Sequence, residues 1–283
     1  HPLSLLIRGT HFNNFMYLSF LILIAGLAVL VIGGEFLVKG AVGFSKTFRI
    51  SPLVIGMTVV AFGTSAPELL VSLKSALAGN SGIAIGNIVG SNIANIALVL
   101  GVTVLIFPIV ADKNTKYVDY PMMIIATLLF YVFALDGNLS FSEGLIFIVI
   151  IVVFTTLIIS NSIRKNKRKE RASLAEMLAR ELDEDYDNDV SDEVEFKTAP
   201  FWKSMIFIFI GLIGLYFGAD WFIQGAVDIA NYFLNGNPNK DAIIGVTVVA
   251  FGTSAPELVA SCVAAYRKQT DISIGNLIGS NIF

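Results

Sequence analysis

Two glutamates, Glu68 and Glu257, stand inside two copies of one stretch, TVVAFGTSAPEL, at Thr58–Leu69 and Thr247–Leu258. Both runs are otherwise apolar enough to lie in lipid, where a carboxylate is costly and marks a functional site by default. Pro67 and Pro256 follow at once from helix chemistry. Each removes a backbone donor, freeing the carbonyls of Gly63 and Gly252, and such irregular backbone survives at depth only against protein or a water-filled cavity. With Thr64, Ser65, Thr253 and Ser254, the carbonyls and carboxylates make an all-oxygen environment suited to hard cations such as Ca²⁺ and Na⁺. No thiol or imidazole lies in either motif, which argues against softer metals.

Spacing gathers these groups. Ala61, Thr64, Ser65 and Glu68 fall at i, i+3, i+4 and i+7, one face of a helix. Ser91 and Asn95 share a face of the next span and can close the site from the other side. Gly86 with Gly90, and Gly275 with Gly279, are small-xxx-small pairs that let helices approach closely. Taken singly, a Ser/Thr-Pro kink or a glycine pair is ordinary helix packing, and a buried glutamate can be a structural ion pair, as Glu35 with Lys39 at i, i+4 could be. Two identical motifs whose flanks have drifted are different. IGNIVGSNI (Ile85–Ile93) returns as IGNLIGSNI (Ile274–Ile282) at the separation that also relates Glu68 to Glu257. GGEFLVKGAV (Gly33–Val42) returns as GADWFIQGAV (Gly218–Val227) at a slightly shorter one, the difference absorbed by the turn signal NGNPNK (Asn235–Lys240).

The elements that must hold these residues are membrane helices. Of the 283 residues 55% are hydrophobic and 14% charged, against about a quarter charged in soluble domains. Apolar spans are expected at 16–45, 51–78, 84–108, 119–135, 142–161, 203–234 and 241–265, with another starting at 271, each long enough to cross a bilayer. Alternating spans place Lys46, Arg49, Lys113, Lys116, the Arg164–Arg171 cluster, Lys203, Arg267 and Lys268 on one side, leaving Arg8, Lys74 and Lys240 on the other. The crowded side is expected to be cytoplasmic, with the N-terminus outside. Five spans precede the polar loop at 162–201, so the second copy enters the membrane inverted. Inverted repeats with a midplane site at their interface are a recurrent transporter design. The expected units are a first half at 1–161 (motif 54–95), a cytoplasmic linker at 162–201, and a second half at 202–283 (motif 244–283).

Other residues carry less. Cys262 is a lone cysteine in a span, expected to be a packing residue. His1 and His11 precede the first firm span. DEDYDND (Asp183–Asp189) has the spacing that opens a calcium loop, yet Asn188 and Val194 stand where an EF-hand needs glycine and glutamate. A solvated linker is the expectation there, its basic start near anionic headgroups.

The paired GTSAPEL and GNxxGSNI motifs resemble the two alpha repeats of the sodium/calcium exchanger family, among the calcium:cation antiporters. The resemblance covers essentially the whole chain. It implies an all-α polytopic membrane fold of ten helices as two inverted five-helix halves, of which about seven and a half fall within this chain. It implies Glu68 and Glu257 as main Ca²⁺ ligands, with Thr64, Ser65, Thr253 and Ser254 lining Ca²⁺ and Na⁺ positions. The Ala61 and Ala250 carbonyls would serve Na⁺, and Ser91, Asn95 and Ser280 match the remaining site positions. Alternating access would come from sliding the helices at 16–45 and 203–234. The counterpart of Asn95 would be residue 284, one past Phe283; this, with a start that is not methionine, suggests a fragment. No cofactor, nucleic acid or obligate protein partner is expected, only the two ions and the bilayer. A Ca²⁺/H⁺ antiporter is the nearest rival and a passive cation channel a more distant one. An intramembrane hydrolase is disfavoured because no His or Lys stands in the motifs as base.

Overall fold

The computed structural model describes residues 2–110, 113–183, 200–234, 237–240, 244 and 250–283. Among them the structure is helical, without strands. The helices are α1 (Pro2–Phe48), α2 (Pro52–Thr64), α3 (Ala66–Leu77), α4 (Ser81–Ile106), α5 (Thr115–Asp136), α6 (Phe141–Asp183), α7 (Phe201–Phe233), α8 (Ala250–Thr253), α9 (Ala255–Tyr266) and α10 (Thr270–Ile282). Among the described residues five of these are long and apolar enough to cross a membrane, and α2 with α3, bent by 47° at Ser65, passes the same test as a pair. Only 6% of the most apolar stretch of α5 is buried inside the protein. Its apolar surface faces outward, as lipid contact requires.

Span boundaries follow the hydropathy pattern except at two places. Helix α1 begins at Pro2, so the segment holding His11 is part of the helix rather than a lead-in. The polar stretch after 161 is not a loop at its start: α6 carries on unbroken to Asp183. Residues 161–183 contain neither glycine nor proline and are rich in Ala, Leu, Glu, Lys and Arg, the strong helix formers. Residues 184–199, including most of the acidic DEDYDND segment, lie outside the described residues, as do 241–243 and 245–249 of the expected seventh span.

The longest packing seam joins α1 to α7. Gly26, Gly33 and Gly40 recur every seventh residue on α1, and Gly211, Gly218 and Gly225 do the same on α7. A methyl at Gly33 would meet the Leu215 backbone nitrogen at 2.7 Å, and one at Gly40 the Ile208 nitrogen at 2.7 Å. From the other side, a methyl at Gly218 would meet the Leu30 nitrogen at 2.6 Å. Advancing along α1 means retreating along α7, so the helices are antiparallel and touch backbone to backbone. In lipid, where burial of apolar surface drives little, such close approach is what holds helices together.

A second seam sets the site. Gly275 on α10 lies against the Leu53 carbonyl and Met57, and Gly279 against Met57 and Ala61, which docks α10 along α2. The matching pair Gly86 and Gly90 on α4 meets nothing within 4 Å among the described residues; the close approach expected of both pairs is seen for one.

Candidate cation site

Both motifs break at the same residue in the same way. Helix α2 stops at Thr64, Ser65 takes φ −85° and ψ 4°, and α3 starts at Ala66 with Pro67 in its first turn. In the second copy α8 stops at Thr253, Ser254 takes φ −86° and ψ 3°, and α9 starts at Ala255 with Pro256 in its first turn. Proline tolerates a first turn, where its missing N–H has no intrahelical acceptor, and ends the helix behind it. The break therefore places Glu68 and Glu257 in the first turn of a new helix, at its positive end.

The two copies converge. The Ser65 hydroxyl donates to Glu257 Oε1 at 2.9 Å, and the Thr64 hydroxyl reaches Asn276 Oδ1 on α10 at 3.1 Å. Glu68 and Glu257 are 8% and 2% exposed. Both oxygens of Glu68 and Oε2 of Glu257, with Asn95 Oδ1, Ser254 Oγ and Ser280 Oγ, are buried without a hydrogen-bond partner among the described residues. Buried polar atoms are nearly always paired. A cluster of partnerless oxygens around two carboxylates, among the described residues, is what a desolvated cation would complete.

The remaining candidates take up distinct places. Thr64 and Ser254 are buried, at 1% each. The Ala61 carbonyl accepts from the Ser65 N–H at 2.9 Å and from the Thr64 hydroxyl at 3.3 Å. Ala250 opens α8, and Thr253 closes it. Asn95 begins a π-helical turn, Asn95–Val99, that packs against α9 and α10; such turns often sit at functional sites. Ser91 is half-exposed, and its hydroxyl donates to the Ile88 carbonyl at 3.1 Å rather than to either carboxylate. Among the described residues no group of three or more His, Cys, Asp or Glu could hold a metal.

Three relationships escaped the sequence reading. Asn87 donates to the Glu68 carbonyl at 3.2 Å and to Ser72 Oγ at 2.9 Å; Asn276 does the same to the Glu257 carbonyl at 3.4 Å and Ser261 Oγ at 2.9 Å. Asn87, Ser91 and Asn95 share a face at i, i+4 and i+8, and that spacing could have found Asn87. Glu35 is held less by Lys39, at 3.9 Å, than by Arg267 at the end of α9, at 2.8 Å. Cys262 packs with its sulfur 3.8 Å from the Thr103 hydroxyl.

The family description "Sodium/calcium exchanger protein" matches residues 18–160 and 203–283. A relative from Alkalimonas amylolytica, named putative antiporter CaxA, is 35% identical over 95% of this chain and 78% of its own length. Sodium/calcium exchanger MaX1 of Methanosarcina acetivorans is 34% identical over 93% of this chain and 79% of its own. A solved structure of the sodium-calcium exchanger NCX_Mj, soaked with Na⁺ and Sr²⁺, superposes with a TM-score of 0.74 at 32% identity, covering 94% of this chain and 78% of that one. On these matches and this architecture, the chain belongs to the sodium/calcium exchanger family of multi-pass membrane cation antiporters.

Proposed function

We propose that this protein exchanges Na⁺ for Ca²⁺ by alternating access to one shared site built on Glu68 and Glu257. The observation that carries the reading is the pair of buried carboxylates, one from each motif, set among buried oxygens that have no hydrogen-bond partner among the described residues and linked across the motifs by Ser65. Thr64, Ser65, Thr253, Ser254, Asn95 and Ser280 complete the coordination, the Ala61 and Ala250 carbonyls serve Na⁺, and Ser91 joins from the pocket's edge. Two negative charges balance one Ca²⁺ or are occupied by Na⁺ ions instead. They cannot hold both loads at once, and that exclusion couples the two fluxes.

The antiparallel α1–α7 pair is the element whose displacement would open the pocket to either side. Units 1–161 and 202–283 are the inverted halves, and 162–201 joins them. Orientation is supported by contacts among the basic segments. Arg49 pairs with Glu170 at 2.6 Å, Asn166 donates to the Arg49 carbonyl at 2.6 Å, and Lys165 donates to Asn114 at 2.8 Å. The α1–α2 connection, the start of α5 and the basic part of α6 thus share one end, which we assign to the cytoplasm. The N-terminus then lies outside, and the cytoplasmic membrane is the proposed location.

The test is Ca²⁺ uptake into proteoliposomes driven by an outward Na⁺ gradient while a protonophore collapses the proton gradient. Uptake that follows the Na⁺ gradient is expected. Uptake driven by protons without Na⁺ would make the protein a Ca²⁺/H⁺ antiporter, and downhill Ca²⁺ leak without Na⁺ would make it a channel.

A further inference from the structure

We infer that Asn276 is a positioning residue that turns the Thr64 hydroxyl oxygen toward the bound ion. The inference rests on the shared-site reading above. A hydroxyl can ligate a cation only through a lone pair, so its proton must find an acceptor elsewhere. For Thr64 the structure offers the Ala61 carbonyl at 3.3 Å, Asn276 Oδ1 at 3.1 Å and, within reach, the Glu257 carboxylate, itself a proposed ion ligand. The Ala61 carbonyl is itself a proposed Na⁺ ligand. Sending the proton to Asn276 leaves both the carbonyl and the hydroxyl oxygen available to the ion.

Asn276 is held for this task. Its amide nitrogen faces the Glu257 carbonyl, which can only accept, and Ser261 Oγ. That fixes which end of the amide is nitrogen and presents Oδ1 to Thr64. Ser261 and Asn276 are 0% and 1% exposed, and Ser273 anchors the next layer by donating to the Ser261 carbonyl at 3.0 Å. Asn87 makes the same two donations to the Glu68 carbonyl and Ser72. Asn276 also links the halves: it belongs to the second repeat and orients a hydroxyl of the first. Its amide is neutral, so it adds no third charge to a pocket that two carboxylates already fill.

A double-mutant cycle tests this in proteoliposomes, reading half-saturating Na⁺ and Ca²⁺ separately from maximal exchange. Asn276→Leu should raise both half-saturating concentrations about tenfold, the cost of losing one buried hydrogen bond, while maximal exchange stays within about twofold. Beside Thr64→Val, the same change should add less than about twofold, because the hydroxyl it acts through is gone. Effects that multiply in full would mark Asn276 as a packing residue and overturn the inference, as would an Asn276→Leu protein with wild-type affinities. If Asn276→Leu does not fold, Ser261→Ala, which frees the amide to turn, should raise the half-saturating concentrations about threefold beside Thr64 and leave them unchanged beside Thr64→Val. Equal effects in the two backgrounds would overturn it. Wild-type protein without Na⁺-driven Ca²⁺ flux would instead bring down the shared-site reading and the inference with it.

Discussion

The Ser65 hydroxyl and the Glu257 carboxylate meet at 2.9 Å, although 192 positions of sequence separate them and each comes from a different repeat. Neither motif holds a finished site. Each contributes a glutamate to a pocket whose neutral donors and acceptors come partly from the other.

Replacing Glu68 or Glu257 with glutamine keeps the shape and removes one charge. Leaving a buried charge without its partner costs about 3–5 kcal/mol, so exchange at fixed ion concentrations should fall by about 100-fold or more in each variant. Tracer Ca²⁺ flux in vesicles measures this. Near-normal flux in either variant would remove that glutamate from the site.

Ser65→Ala removes the hydroxyl that donates to Glu257 Oε1 while leaving both charges. A hydrogen bond to a charged group is worth about 1.5–3 kcal/mol, which corresponds to roughly 10- to 100-fold in apparent ion affinity. The loss should be smaller than for either glutamate, and half-saturation of Na⁺-driven flux reads it. A loss equal to that of Glu257→Gln would mean that Ser65 does more than donate.

The α1–α7 seam predicts a contrast between glycines. Gly33→Ala and Gly218→Ala would put methyl groups within 2.7 Å of backbone nitrogens on the facing helix. Each should destabilise the protein by about 1–3 kcal/mol, the usual cost of overpacking. Gly101, with nothing within 4 Å in α4, should accept alanine with a neutral or stabilising effect of up to about 1 kcal/mol. Thermal unfolding in detergent separates them. Equal melting points for all three variants would deny the seam its role.

Arg267 and Glu35 tie the end of α9 to α1 at 2.8 Å, with side chains 51% and 23% exposed. Solvent screening limits such a pair to about 0.5–1 kcal/mol. Glu35→Gln and Arg267→Gln should therefore show a coupling energy of that size in thermal unfolding, and it should shrink as salt rises. A coupling that is absent at low salt would mean the pair contributes nothing to holding α1.

Much of this architecture could be read from residue types and spacing. Hydropathy located the spans because lipid imposes their length. The duplicated Glu, Pro, Ser and Thr marked where the backbone is irregular. Spacing alone, however, puts Ala61, Thr64, Ser65 and Glu68 on one continuous helix face, whereas the helix breaks at Ser65 and Pro67 belongs to the first turn of the next one. What escaped the reading depends on pairing between distant segments. Glu35 has a basic residue one turn away, but its shorter contact is to Arg267, and no local rule selects between them. The glycine heptads of α1 and α7 were visible as letters; their antiparallel register was not, since register belongs to two helices at once. The helical extension of α6 is hidden by its polar composition, which reads as a loop, although its residues favour helix and only their charge opposes lipid.

That seam also restricts what can move. Two rods whose hollows recur every two turns mesh only in registers spaced by about 10 Å, and any partial shift drives a backbone seated on a glycine onto a neighbouring side chain it cannot clear. Slippage between them is therefore obstructed. Whichever way the pocket faces, the leading helices of both repeats must travel as one stiff piece, and the ion's path is decided by how that piece sits on everything else.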